Sequence, residues 1–312
     1  MYFADTLQRL LFLRKVPIIG TLAPDLLAGL SQQSTERTFR AGEKLLTAAS
    51  HDSMFVIVEG AATIEYRDRP VYHAGPHQLL GLFEALGSNP GTSVTADGPG
   101  LALHIPAAAL RSLMDDAFGV VVHVLRETGA VFARRRRLLN RMPNALATPI
   151  ASREPIPLGD DLLGRLYAVR KLRPFQGLDM DTLVHFAGAM VPRSVQAGIR
   201  LWQEGDEAPY MLAVLEGELS AKSAQQELAT PLGPGDVPGF LDAFASSPRW
   251  YSLTATSDAR VATIPVETVF DILEDHGEAS QSMLANYIEF GMQVFRDLAH
   301  HELLEALPED AP

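Results

Sequence analysis

The stretch of the sequence best suited to chemistry is PGFLDAFASSPRWYSLTA, residues 238–255. A glycine turn at Gly239 is followed by a short apolar run that could begin a helix, and then by Pro248 and Arg249. A turn, a helix start and an arginine are the parts from which a small phosphate cradle is built. Phe240, however, follows the glycine at the place where a polar, sugar-binding residue is expected. The stretch is therefore either a nucleotide site or the remains of one.

Other residue combinations give weaker indications of chemistry. His73 and His77 share a turn in which the sequence shows no carboxylate, and His300 and His301 are adjacent on a terminal helix, where they would point to different faces. The sequence contains no Ser/His/Asp order, no GxGxxG, no Walker loop and no cysteine. We therefore predict no catalytic residues, no metal site and no cofactor.

Length and composition indicate a soluble protein of about two domains. Of the 312 residues, 47% are hydrophobic and 21% charged, and no apolar run reaches the ~18–20 residues of a membrane span. The first residues do not form a secretory signal, and zero cysteines are compatible with a cytoplasmic location.

The net charge of −12 is unevenly distributed. Residues 1–150 carry 15 basic and 13 acidic side chains, a net charge of +2, whereas residues 151–312 carry 11 and 25, a net charge of −14. Because DNA-binding domains usually show a basic face, we expect no binding to DNA, least of all by the second half.

The chain repeats itself at an interval of 156 to 159 residues. Six segments of the first half match six segments of the second half in the same order. The matched pairs are TLAPDLLAGL (21–30) with GLDMDTLVHF (177–186), FRAGEKLL (39–46) with VQAGIRLW (195–202), MFVIVEGAATI (54–64) with MLAVLEGELSA (211–221), LLGLFEAL (79–86) with VPGFLDAF (237–244), SVTA (93–96) with SLTA (252–255), and HIPAAAL (104–110) with TIPVETV (263–269). Single insertions in loops explain the small drift of the interval, so we infer an internal duplication.

Each copy has the pattern of a small β-barrel or jelly roll that is flanked by helices. Short strand-like runs are separated by turns that contain glycine. These runs are Met54–Val58, Ala62–Tyr66, Met211–Leu215 and Ser252–Thr256. Helices are expected after each roll, the longest from about Phe118 to Arg141 and from about Ala279 to Leu307. The predicted fold class is mixed α/β and mainly β, with two tandem β-rolls.

Four prolines between Met142 and Gly159 indicate a linker. The predicted domains are therefore 1–142 and 161–312, with the linker at 143–160. A jelly roll is also compatible with a metal-dependent cupin enzyme, but the converging histidines and the carboxylate that such an enzyme needs are not visible in the sequence.

The order of these elements resembles the cyclic-nucleotide-binding domain family, which includes the regulatory subunit of protein kinase A and the catabolite activator protein. The segments most similar to the family are FRAGEKLL and FVIVEG in the first copy and LGPGDVPGFL in the second, and two tandem copies cover nearly the whole chain. In that family the cradle reads roughly FGELA and then PRAAT. The resemblance implies a glycine that lets backbone N–H groups approach the phosphate, a glutamate that accepts from the ribose 2′-hydroxyl, and an arginine that pairs with the phosphate.

On this pattern the second copy keeps only part of the ligand chemistry. The resemblance assigns to its cradle Gly239, Phe240, Leu241, Arg249, Trp250, Tyr251 and Ser252. Phe240 replaces the glutamate, which leaves a ribose hydroxyl unpaired at a cost of about 1–3 kcal/mol. Trp250 and Tyr251 replace two small residues and could stack on a base, while Asp242 adds a negative charge. The alternative is that Arg249 lies at the protein surface and the aromatic residues fill the vacated pocket.

The first copy departs further from the family pattern. Gly81 is kept, Leu82 stands for the glutamate, and Thr92 and Ser93 lie in a segment without an arginine. Losing the counterion of the phosphate typically costs more than losing one neutral hydrogen bond. We therefore expect the first cradle to be inactive toward ordinary cyclic nucleotides.

A basic cluster lies near the end of the first long helix. It consists of Arg134, Arg135, Arg136, Arg137 and Arg141. One interpretation is a solvated helix end, where cations favour the helix dipole. The others are a contact with an acidic protein surface and, from the Arg-x-x-x-Arg spacing that resembles PilZ domains, a site for cyclic-di-GMP.

The resemblance implies a non-enzymatic cytoplasmic regulatory or adaptor protein that senses a nucleotide second messenger, at most in the second copy, and relays it through the closing helices to a partner protein. The alternatives are a ligand-free interaction scaffold and a cyclic-di-GMP effector. No helix-turn-helix or kinase-inhibitor segment is visible in the sequence, so we expect neither a transcription factor nor a kinase subunit. The last helix carries an apolar stripe that could form a homodimer or pack on its own roll; the stripe includes Leu284, Ile288, Phe295 and Leu298.

Overall fold

The computed structural model describes residues 3, 5–47, 52–66, 69–86, 91–139, 154–157, 161–225 and 229–300. The chain divides into two compact units, Met1–Val124 with Leu298–Pro312 and Leu125–Asp297. The domain limits expected from the sequence, 1–142 and 161–312 with a linker at 143–160, stay a prediction, because most of the segment between the two copies lies outside the described residues.

The first copy begins with two helices and continues as a β-roll. The helices are α1 (Thr6–Leu13) and α2 (Pro24–Gln33). The roll consists of β1 (Thr35–Phe39), β2 (Lys44–Leu46), β3 (Ser53–Glu59), β4 (Ala62–Tyr66), β5 (Arg69–Ala74), β6 (Leu79–Leu80), the short α3 (Leu82–Ala85), β7 (Thr92–Ala96) and β8 (Gly100–Pro106). Two helices, α4 (Ala107–Asp116) and α5 (Phe118–Leu139), follow it.

The second copy repeats this order. It begins with α6 (Leu162–Lys171), a 3₁₀ helix (Arg173–Phe175) and α7 (Met180–Ala189). Its roll consists of β9 (Val191–Val195), β10 (Arg200–Trp202), β11 (Tyr210–Glu216), β12 (Leu219–Lys222), β13 (Thr230–Leu232), α8 (Phe240–Phe244), β14 (Ser252–Ala255) and β15 (Ala259–Pro265). The closing helices are α9 (Val266–Asp275) and α10 (Gly277–His300).

The strand order confirms the duplication. The first roll has sheets ordered β1-β8-β3-β6 and β2-β7-β4-β5, and the second has β9-β15-β11 and β10-β14-β12-β13. All strand pairs are antiparallel, and the register shifts recur at equivalent positions: between Ile57 and Glu59 in β3, and between Val214 and Glu216 in β11. A register shift is fixed by local backbone geometry, so its recurrence shows that the two copies share details of the fold.

The predicted fold class, two β-rolls flanked by helices, is confirmed. The four predicted strands are β3, β4, β11 and β14 within one or two residues, and the predicted helix from Phe118 is α5, whose described part ends at Leu139. The central strands β3 and β11 are buried over five consecutive residues each, because helices cover one face and the opposite sheet covers the other. No helix in the described part of the chain is long and apolar enough to cross a membrane.

Candidate functional site

Gly239 starts the cradle of the second copy. Its backbone has φ = 85°, in the left-handed region, and it caps the N-terminus of α8. The segment before it is tied to the central strand, because the N–H of Leu212 donates to the carbonyl of Pro238 at 2.9 Å. A Cβ at Gly239 would lie 2.5 Å from Nη1 of Arg249. Both the turn and the close approach of the arginine therefore require glycine here.

Arg249 is fully buried and is held by groups of the protein itself. Its Nη1 donates to Oδ2 of Asp242 at 2.9 Å, and its Nη2 donates to the carbonyl oxygen of Tyr210. The guanidinium carbon lies 4.0 Å from the centre of the Trp202 ring. The side chain has 0% exposure, so the alternative in which Arg249 lies at the protein surface is wrong. A buried cation needs a counter-charge, and Asp242 supplies it.

Asp242 lies at the same depth, with 1% of its side chain exposed. Burial raises the pKa of its carboxyl above the usual value, and the charge of the Arg249 guanidinium opposes that rise. The family pattern assigns this arginine to an anion of the ligand. In this protein a carboxylate three residues after Gly239 takes that role, so the cradle contains its own anion.

The Tyr251 side chain forms a hydrogen bond with the backbone N–H of the cradle glycine, Gly239. Its hydroxyl accepts from the N–H of Gly239 at 2.9 Å, and its carbonyl accepts from Nε1 of Trp202 at 3.0 Å. The half-buried ring of Trp250 packs against the Tyr251 ring with 4.3 Å between centroids. Tyr251 is therefore buried against the cradle glycine, and whether it fills a vacated ligand pocket stays a prediction.

Phe240 is buried in an aromatic cluster instead of facing a ligand. Its ring centroid lies 5.4 Å from that of Tyr287 and 5.6 Å from that of Phe290, both on α10. The Tyr287 hydroxyl donates to the carbonyl of Leu241 at 2.9 Å, and burial raises the pKa of Tyr287 well above its usual value. The residue that replaces the glutamate therefore packs the cradle helix α8 against α10.

Ser252 lies at the start of β14, where its hydroxyl accepts from the N–H of Glu204 at 3.0 Å.

The first copy has the same glycine turn and short helix, but its segment from Gly91 to Ala96 contains no arginine. Gly81 has φ = 82° and caps α3, and Leu82 is buried. The hydroxyl of Thr92 donates to Oε1 of Glu84 at 2.5 Å, and that of Ser93 donates to Glu65 at 3.1 Å. Glu84 is buried and, like Asp242, lies three residues after the cradle glycine. The sequence carries this signal, an acidic residue at one position in both copies, but sequence reasoning missed Glu84.

Comparison with known proteins gives the same assignment as the geometry. The model of the family described as "Cyclic nucleotide-binding domain" matches residues 36–117 and 192–276, which together make up just over half of the chain. The chain belongs to this family. The two matches cover both β-rolls, as the duplication requires.

Individual relatives of this cyclic-nucleotide-binding-domain protein are distant. It is 23% identical over 114 residues to a CRP-like cAMP-activated global transcriptional regulator of Mycobacterium tuberculosis, a match that covers 35% of this chain and 51% of the relative. The chain thus spans about half the length of the curated relatives it matches.

Similar solved structures include kinase regulatory subunits and a single domain. The regulatory subunit of a cAMP-independent protein kinase A from Trypanosoma brucei is 15% identical, with 94% of this chain and 97% of that chain covered and a TM-score of 0.34. The regulatory domain of Toxoplasma gondii protein kinase A with cAMP is 16% identical, with coverage of 91% and 97% and a TM-score of 0.34. A cyclic nucleotide-binding domain from Methylobacillus flagellatus is 19% identical, with coverage of 48% and 86% and a TM-score of 0.39.

The remaining predicted residues lie away from the cradles. Arg134 is exposed on α5, whereas the side chains of Arg135, Arg136 and Arg137 and the whole of Arg141 lie outside the described residues, as does His301. His73, which lies in β5, is not without a carboxylate: Oδ2 of Asp97, 24 positions later in the sequence, lies 3.5 Å from its Nδ1, because Thr63 of β4 contacts both side chains. The ring of His77 stacks on Phe12 instead of converging with His73.

The apolar stripe of α10 is packed within the second unit. The stripe residues that are buried there are Met283, Leu284, Tyr287, Ile288 and Met292. The side chains of Phe295 and Leu298 lie outside the described residues. The buried part of the stripe therefore serves the protein's own core, and a homodimer through this helix stays a prediction.

Proposed function

We propose that this protein is a non-enzymatic regulatory or adaptor protein whose second cradle is held closed by its own Asp242, so that it acts on a protein partner without holding a cyclic nucleotide. Of the alternatives that the sequence left open, this is the interaction scaffold with degenerate pockets. The observation that carries the proposal is the buried ion pair between Arg249 and Asp242.

The ion pair makes the binding of a cyclic phosphate costly. A ligand must separate Asp242 from Arg249 and displace the Tyr251 hydroxyl from the N–H of Gly239. Breaking a buried pair by removing one partner costs roughly 3–5 kcal/mol, which corresponds to about two to four decades in affinity. The displaced carboxylate would also lie close to the ligand's own negative charge.

The first cradle supports the same conclusion. The segment from Gly91 to Ala96 contains no arginine, and the buried carboxylate of Glu84 lies beside the glycine turn. A phosphate placed there would lie close to a negative charge, and no arginine of that segment could pair with it. In the described part of the chain, the arginine of the second cradle is already paired with Asp242, and the segment from Gly91 to Ala96 of the first cradle supplies no arginine.

Regulation would then act through the helices around the second cradle. Phe240 and Leu241 connect α8 to Tyr287 on α10, so a change in the packing of α10 moves the cradle helix. A partner shifts this equilibrium only if it binds one arrangement better than the other. The partner, the cytoplasmic location and a homodimer are parts of the same proposal.

Isothermal titration with cAMP and cGMP tests the proposal. We expect no binding to the wild-type protein at micromolar concentrations. We expect Asp242→Ala, which leaves the Arg249 guanidinium without its carboxylate, to gain binding of cyclic nucleotide or inorganic phosphate, and Asp242→Ala/Arg249→Met to lose it again. Glu84→Ala is the matched control, because no arginine stands in the first copy at the position of Arg249, in the segment from Gly91 to Ala96. Micromolar binding by the wild-type protein that Arg249→Met abolishes would contradict the proposal.

Cyclic-di-GMP is a second candidate ligand, because Arg134 on α5 is exposed and could contact a phosphate. The same titration with cyclic-di-GMP, repeated on Arg134→Ala, tests it. Binding to the wild-type protein that weakens at least about tenfold in the variant would favour the cyclic-di-GMP effector, since a phosphate–arginine pair is a strong charge-assisted contact.

A further inference from the structure

We propose that Asp181, His185 and His276 form a binding site for one divalent transition-metal ion of the zinc class on the surface of the second unit. The site is separate from the cradle and does not depend on the proposed function. It would tie α7, the helix before the roll, to the junction between the closing helices α9 and α10.

The three side chains converge although they are far apart in sequence. Asp181 and His185 are four residues apart on α7 and therefore lie on one face of the helix. His276 is the C-cap of α9 and directly precedes α10. One ligand atom from each of the three residues lies within 4.8 Å of the other two. Nδ1 of His276 is 3.8 Å from Oδ2 of Asp181, and the two imidazole centroids are 4.9 Å apart.

The backbone around the three residues is held by hydrogen bonds and packing. The N–H of His276 donates to the carbonyl of Leu273 on α9 at 3.3 Å, and the carbonyl of His276 accepts from the N–H of Ser280 on α10 at 3.0 Å. These two bonds hold the backbone of His276 to both closing helices. On α7, the opposite face is buried through Leu183 and Phe186. The donors therefore stand on rigid elements, and only their side chains need to adjust.

The donor set is one that zinc prefers. Two imidazole nitrogens and one carboxylate oxygen, with water in the fourth position, are ligands of three-residue zinc sites. At metal–ligand distances of about 2.0–2.2 Å, tetrahedral ligand atoms lie about 3.3–3.5 Å apart. The present separations are larger by an ångström or so, which side-chain rotation can close. Asp181 is 78% exposed and His276 20% exposed, so water can reach the site.

The local charge also favours a cation. The second half of the chain carries a net charge of −14, and Glu274, Asp275 and Glu278 flank His276 in sequence. These carboxylates raise the concentration of cations near the site.

The first copy lacks the equivalent set. The residues at the corresponding positions of α2 and of the C-cap of α4 are Asp25, Gly29 and Ala117, which keep the carboxylate and lose both imidazoles. The two histidines are therefore features of the second copy and are not required by the fold.

Zinc binding to the full-length, untagged chain tests the proposal. Isothermal titration with Zn²⁺ and the visible absorption of bound Co²⁺ should show one site per chain. We expect His185→Gln and His276→Gln each to weaken Zn²⁺ binding by at least about tenfold, since each removes one of three protein ligands. Zn²⁺ should raise the melting temperature of the wild-type protein and leave that of His185→Gln/His276→Gln unchanged.

Two control variants identify adventitious binding. His73→Gln removes an exposed histidine that also lies beside a carboxylate, Asp97, and His300→Gln/His301→Gln removes the terminal pair. Neither should change the affinity of the site. The proposal is overturned if the wild-type protein binds no zinc, if His185→Gln/His276→Gln binds it as tightly as the wild type, or if only the terminal pair is needed. Circular dichroism of each variant shows that the fold is kept.

Discussion

At the scale of single residues, the decisive contact is the one between Arg249 and Asp242. Both side chains are removed from water, and each satisfies the charge of the other at 2.9 Å. In a site of low dielectric an unpaired charge is much more costly than a pair, so the two residues depend on each other. An arginine that a ligand would otherwise neutralise is neutralised within the chain.

The ion pair predicts a distinctive pattern of stability. We expect Asp242→Ala to lower the free energy of unfolding by roughly 3–5 kcal/mol, because the Arg249 guanidinium is left buried and uncompensated. Replacing both residues, as in Asp242→Leu/Arg249→Met, should restore stability to near the wild-type value or above it. Urea denaturation of Asp242→Leu, Arg249→Met and the double variant Asp242→Leu/Arg249→Met measures this coupling.

A surface pair provides the control for that experiment. Arg37 and Glu43 also lie 2.9 Å apart, but their side chains are 41% and 33% exposed. We expect Glu43→Ala to have a much smaller effect than Asp242→Ala, because water screens exposed ion pairs. If the double variant at the cradle is as unstable as the sum of its single variants, the electrostatic interpretation of the buried pair is wrong.

At the scale of elements, the second unit depends on close packing between α5 and α10. A Cβ at Gly291 would lie 2.1 Å from the Phe132 ring, and a Cβ at Gly129 would lie 2.3 Å from the Tyr287 hydroxyl. The two glycines let the helices approach closely, and the aromatic rings fill the space between them. The position of α10 against the cradle is therefore set by residues with little tolerance for added volume.

We predict that Gly291→Ala destabilises the protein by about 1–3 kcal/mol, because the added methyl group overpacks the contact with Phe132. Gly188→Ala, in α7, is the matched control, since a Cβ there would meet no atom within 4 Å. The control should be neutral or stabilising by up to about 1 kcal/mol, because alanine favours helix more than glycine does. Thermal melts of both variants compare them. Equal effects would show that Gly291 matters only through helix propensity.

The N-cap of α7 predicts a pH dependence. The carboxylate of Asp179 accepts from the N–H of Thr182 at 2.9 Å and from its hydroxyl at 2.6 Å, and these bonds lower the pKa of Asp179 below 3.8. A lowered pKa contributes stability above the unfolded value, and that contribution is lost as the pH falls through the folded pKa. We expect Asp179→Asn, which caps without charge, to be less stable than wild type at neutral pH.

This difference should shrink as the pH is lowered through and below 3.8, the range in which the wild-type carboxyl takes up its proton. Urea denaturation of both proteins over this pH range measures it. A difference that is independent of pH would show that the geometry of the cap, and not the charge of Asp179, is responsible.

At the scale of the whole molecule, charge argues against nucleic acid as a partner. The net charge is −12, and the only dense basic cluster is the run Arg134–Arg137 with Arg141. We expect no binding to a fluorescently labelled DNA duplex in anisotropy measurements at physiological salt. A dissociation constant of about 10⁻⁶ M or tighter would contradict this expectation, because it lies at or beyond the tight end of non-specific binding. If replacing Arg134–Arg137 by alanine abolished such binding, the DNA-binding site would be this basic cluster.

The sequence by itself determined the duplication, the fold class and the position of both cradles. Matches such as FRAGEKLL with VQAGIRLW have a nearly constant interval, and strands and turns follow from local patterns of apolar residues and glycine. The sequence also shows that Phe240 and Leu82 replace the glutamate of the family pattern, because this requires only the identity of the residue after each cradle glycine.

Only the tertiary structure decided what the kept residues do. The sequence predicts that Arg249 binds an anion. Its burial and its ion pair with Asp242, however, depend on how α8 packs against the strands. Asp181 and His185 meet His276 across about 90 intervening residues, which no spacing in the sequence reveals. Local patterns fix secondary structure because neighbouring residues share one backbone geometry, whereas burial and long-range pairing are set by the packing of the whole unit.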